Sequence, residues 1–176
     1  MYTEQELKEF RRAIYEFSAE QLMWQVLYIN AVAQHAPNLD IIYKRLLELP
    51  HVFQLIMLNT VDTPDVRALT QAVEEGNRLF IDYVDSFFHD GADTSSLLKQ
   101  REENVDYIAQ CMHKINPRWG ITAWVTLINH QIALINQTMI DAKHGSYKTW
   151  AQILPLVCRL KMDMADYLAE GISSLN

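Results

Sequence analysis

The chain has 176 residues, of which 49% are apolar and 21% charged, the composition of an ordinary globular protein of single-domain size. Fifteen Lys and Arg against 22 Asp and Glu leave a net charge of −7, which argues against the clustered basic surface that nucleic acids require. A chain of this length buries roughly 70% of its unfolded surface, so neither a disulfide nor a metal is needed to hold the core. Cys111 and Cys158 are expected to be reduced thiols in a cytoplasmic protein.

In chain order, Thr3 with Glu6 three residues on has the form of a capping box. It opens a helix expected to reach about Gln34, where "HAPNLD" ends it. This N-terminal stretch is charged and unlike a signal peptide, and no apolar run in the chain approaches the ~20 residues of a membrane span. Asn38 then caps a short helix stopped at Pro50, and "HVFQLIML" makes a second short one. In "NTVDTPD", Thr63 caps and Pro64 takes the first position of a long helix to Phe88. "HDGADTSS" breaks it. A helix of middling length follows from Ser95 to Lys114, then a joint at Ile115-Asn116-Pro117. Another long helix is expected from about Trp119 to Lys143, with Gly145 at its C-terminal cap. The last runs from about Tyr147 to Glu170, kinked near Pro155 and ended by Gly171. No segment alternates like a strand. The expected class is all-α, with four long helices in an antiparallel bundle joined by short crossover helices.

Several catalytic and phosphate-binding signatures are absent. There is no phosphate-cradling glycine loop, no nucleophile elbow and no HExxH. The one Glu-x-x-His, Glu48 to His51, contains Pro50. Cys111 and His113 are alternate residues, which point apart on a helix. The expectation is a chain without catalytic residues.

Polar side chains do, however, fall on apolar faces. Gln131 lies among Leu127, Ile128, Leu134 and Ile135 at helical spacing, with His130 at the edge of that stripe. Gln21 lies among Phe17, Trp24 and Tyr28. Asn77 lies among Val73, Phe80, Ile81 and Val84, and Asp163 among Leu156, Leu160 and Tyr167. Each long helix would thus turn one polar group inward. An unpartnered buried amide costs about 1–3 kcal/mol, so these groups must find one another, a carbonyl, water or a ligand. Two readings follow. One is a buried hydrogen-bond network that fixes helix register; the other is a small polar pocket for a ligand or metal.

The segments "ENVDYIAQCMHKINPRW" and "MADYLAEGI" resemble a group of small bacterial helical-bundle proteins of unassigned function, some of them called acetylglutamate kinase. The matching residues include Glu103, Asn104, Asp106, Ile115, Asn116, Pro117, Trp119, Trp124, Asp166, Glu170 and Gly171. Trp24 and "APNLDIIYKRLLELP" carry the likeness more weakly into the first half. The kinase name finds no phosphate cradle here. The resemblance implies a metal site, because relatives place His where this chain has Gln21, Asn77 and Gln131, with a carboxylate at the position of Asp166. Three histidines and a carboxylate suit a transition metal, and neutral amides do not.

The leading expectation is therefore a non-enzymatic cytoplasmic bundle without a cofactor, acting by binding or association. Its pocket candidates are Gln21, Asn77, Gln131, Asp163 and Asp166. A homodimer would use Trp119 and Trp150, if exposed, as its partner face. The rival is a protein or enzyme that uses a divalent metal, with His130, Asp163 and Asp166 as ligands. A third reading is a small-molecule sensor using the pocket.

Overall fold

The computed structural model describes residues 2–61, 63–89 and 93–175. They form six helices: α1 (Glu4–Ala33), α2 (Leu39–Leu58), α3 (Pro64–Phe88), α4 (Ser95–Ile115), α5 (Ile121–Lys143) and α6 (Tyr147–Ser173). Each helix packs on its neighbours in sequence, α6 returns to α1, and α1 also meets α3 and α5. None of the helices is long and apolar enough to cross a membrane, among the described residues.

The ends follow from local chemistry. Thr3 and Glu6 form the capping box: the Thr3 amide donates to Glu6 Oε2 at 2.7 Å, and the Glu6 amide donates to Thr3 Oγ1 at 3.2 Å. Helix α5 closes with Gly145 at φ +65, where the Ser146 amide reaches Asp141 O and the Gly145 amide reaches Ala142 O. Helix α1 closes in the same way, with His35 in the left-handed position at φ 50. Asp62 and residues 90–92, from the two loops around α3, lie outside the described residues.

Three expected boundaries are corrected. The first is Pro50, which does not stop a helix; α2 runs through it as one helix of 20 residues. Proline lacks the N–H that would bond the carbonyl four residues back, here that of Leu46. The Asn77 side-chain amide, reaching across from α3, donates to Leu46 O instead. The missing helical donor is thus replaced by tertiary contact, and the break that Pro50 alone predicts does not occur.

The second correction is Gly171, which lies inside α6 and does not end it. A Cβ there would stand 1.6 Å from Trp119 Nε1. Glycine is required because the N–H edge of the Trp119 indole comes up against the helix there and donates to Tyr167 O at 3.2 Å. Asn116 adds a bond from Nδ2 to Gly171 O at 2.7 Å. The third follows from this: Trp119 belongs to the α4–α5 joint, bound to α6, and α5 starts at Ile121. Asn104 makes a similar close approach between α4 and α3. It donates to Ala72 O at 3.0 Å, and its Oδ1 lies 2.7 Å from where a Gly76 Cβ would be. The motif residues Asn104, Asn116, Trp119 and Gly171 are therefore joints between helices.

Candidate functional site

A cavity of about 180 Å³ lies among the helices, and all six contribute to its wall. The contributions keep helical spacing. Helix α1 supplies Phe17, Ser18, Gln21 and Gln25, and α3 supplies Val73, Gly76, Asn77 and Phe80. Helix α4 supplies Arg101, Asn104, Val105, Ile108 and Met112; α5 supplies Trp124, Ile128, Gln131, Ile132 and Ile135; α6 supplies Lys161, Met164, Ala165 and Leu168. Positions separated by three and four residues share one face, so each helix presents a single stripe to the same space. The wall is mostly aliphatic and aromatic, interrupted by amides and two cations.

Gln21, Asn77 and Gln131 are brought to this one cavity. The aspartates of α6 are not. Asp163 is exposed, because it stands about 200° around the helix from Lys161. Leu156, expected to share its inward face, is 53% exposed. Asp166 is half-buried at the α1–α6 seam, where it accepts from Tyr15 Oη at 2.5 Å and lies 3.7 Å from Arg11 Nε. His130 is exposed on α5. Among the described residues no group of three His, Cys, Asp or Glu side chains is placed to hold a metal ion.

The inward polar group of α6 is Lys161, which sequence reasoning missed. It is 6% exposed, and its Nζ donates to Gln21 Oε1 at 2.5 Å. Burial pushes its ammonium down to about 7, because removal from water penalises the charged form. Arg101, also missed, is 7% exposed. Its guanidinium lies 4.4 Å from the Tyr83 ring centroid and 3.4 Å from Asn136 Oδ1, and burial lowers its pKa. The signal for both was available: Lys161 shares spacing with Val157, Met164, Ala165 and Leu168, and Arg101 with Val105, Ile108 and Met112. Charge concealed it, since Lys and Arg are rarely buried.

Among the described residues, Gln25 Oε1, Asn77 Oδ1 and Trp124 Nε1, on residues that line the cavity, have no protein partner, and neither do Thr63 Oγ1, Asp141 Oδ2 and Trp150 Nε1 away from it. Among the described residues no Asp, Glu, His or Cys lines the cavity. Such a wall offers hydrogen-bond donors and acceptors, the Ser18 hydroxyl and two basic side chains. Comparisons of the chain with protein-family models, with curated proteins and with solved structures give no match.

Proposed function

We propose that this chain is a non-enzymatic helical bundle that binds a small molecule in its central cavity. The observation that carries the reading is that Lys161, Arg101 and the amides of Gln21, Gln25, Asn77 and Gln131 surround one mostly apolar space. An unpartnered buried polar atom costs about 1–3 kcal/mol. Here Gln25, Asn77 and Trp124 each keep one buried polar atom without a protein partner. The space is slightly larger than the ~150 Å³ cavity that takes up benzene, so a small organic molecule fits.

Two further expectations belong to this proposal. The four long antiparallel helices of the bundle are α1, α3, α5 and α6, the four longest, and each contributes to the wall. A cytoplasmic setting is supported by free Cys111 and Cys158. A homodimer would need a face other than Trp119, which is 1% exposed. The rival metal reading receives no support from the positions of His130, Asp163 and Asp166.

A thermal-shift screen of small organic molecules tests the proposal. A ligand at about a hundred times its Kd adds about 2.7 kcal/mol and raises the Tm by about 5–10 °C. A screen of neutral, anionic and cationic molecules of this size in which none raises the Tm contradicts it.

A further inference from the structure

We propose that the ligand is a small organic carboxylate with an apolar body, its anionic end held by Lys161 and its body packed on the aromatic wall. The inference rests on the cavity being a binding site, and it deepens that reading by naming what binds.

The argument is one of charge balance. Two basic side chains, Lys161 and Arg101, stand on the wall, and among the described residues no carboxylate stands there with them. Neither forms an ion pair with any described residue. A buried cation without a counter-charge is costly, and the protein ordinarily pairs it. Even the partly exposed Arg45 and the exposed Arg78 lie beside carboxylates, Glu20 and Glu48 for the one and Glu74 for the other. Lys161 instead has a single amide oxygen as acceptor, which leaves two of its three N–H donors for a ligand. A charge-assisted N–H···O bond to a carboxylate would meet that need.

The rest of the wall sets the body of the ligand. Phe17, Phe53, Phe80 and Ile108 offer apolar surface, which a bare inorganic anion would leave unmatched. A neutral hydrocarbon would leave both cations without a counter-charge, and an organic cation would be repelled by them.

Calorimetric titration of the whole chain with benzoate, 3-phenylpropanoate and hexanoate, each beside its neutral amide, tests this. The expected result is that at least one carboxylate binds about tenfold or more tighter than its amide. In Lys161→Met the carboxylate should lose about tenfold more affinity than the amide, which has only a neutral hydrogen bond to lose. A second measurement needs no variant. At pH 8 Lys161 is largely neutral, and Arg101 is the other titratable group on the wall. Carboxylate binding should then take up about one proton, read from titrations in two buffers of different ionisation enthalpy. Carboxylates no tighter than their amides, or no proton uptake, overturn the anion assignment. If the amides still bind, the cavity remains a binding site; if neither set binds and the wider screen also fails, the underlying reading falls as well.

Discussion

Lys161 Nζ donates to Gln21 Oε1 at 2.5 Å, joining α6 to α1 across the wall of the cavity. The bond places an ionisable amine in a space that no carboxylate shares among the described residues. The pH dependence of stability follows. The folded pKa, about 7, lies below the unfolded value of 10.5. Between those values the unfolded chain holds a proton that the folded one lacks, so stability rises with pH. The slope approaches about 1.4 kcal/mol per pH unit at its steepest. Denaturant unfolding from pH 7 to 9 should show this rise in the wild type and lose it in Lys161→Met. Equal slopes in the two proteins would place the Lys161 ammonium in water.

The Asn77–Leu46 bond makes a prediction about Pro50. Asn77→Leu removes the donor and should destabilise the fold by about 1–3 kcal/mol. In a Pro50→Ala background the helix regains its own N–H for Leu46 O, so the same substitution should cost clearly less. A double-mutant cycle by chemical denaturation reads the difference. Equal costs in both backgrounds would mean that Asn77 does not stand in for the proline.

The glycines rank by what a side chain would strike. Gly171→Ala drives Cβ into the Trp119 ring and should cost at least about 3 kcal/mol. Gly76→Ala meets only the end of the Asn104 side chain at 2.7 Å, and the better helix propensity of Ala offsets part of the loss. Gly145→Ala meets nothing within 4 Å but is strained at φ +65, about 1–2 kcal/mol. Urea midpoints for the three variants test the order, with Gly171→Ala lowest.

Trp119 and its joint should matter first to the fold, although the Trp119 ring meets that of Trp124 edge-on with 6.4 Å between centroids. Trp119→Phe removes the N–H that reaches Tyr167 O and should lower stability by about 1 kcal/mol. Ligand affinity, measured by titration well below the new Tm, should stay within about twofold. A large loss of affinity would bring the motif "INPRW" into the site.

The helices were legible because apolar spacing, capping residues and scarce glycine all agree, as at Thr3, Thr63 and Gly145. Three of the cavity's polar positions, Gln21, Asn77 and Gln131, were legible for the same reason: an amide on an apolar stripe stands out. The α6 stripe was placed on Asp163, because a carboxylate with Leu160 and Tyr167 at helical spacing looks inward. The stripe runs instead through Val157, Lys161, Ala165 and Leu168. Spacing places Lys161 on that stripe, but local pattern does not say that a lysine there is buried, because that is decided by what the other five helices leave around it. Pro50 and Gly171 were misread for a related reason. Their meaning depends on Asn77 and Trp119, which are distant in sequence. The motif residues that carry the resemblance proved to be such long-range joints, so they describe how the helices meet.

The most direct test of the central claim is the indole N–H of Trp124 in a two-dimensional ¹H–¹⁵N spectrum. The chain has four tryptophans, and Trp124→Phe assigns the peak. Trp124 lines the cavity and its Nε1 has no protein partner, while Trp24 lies off the wall with its Nε1 bonded to Glu20 Oε1. Titration with a molecule that raises the Tm should move the Trp124 peak saturably and leave the Trp24 peak in place. A ligand that stabilises the fold while the Trp124 peak stays fixed would contradict the account, because it would bind elsewhere.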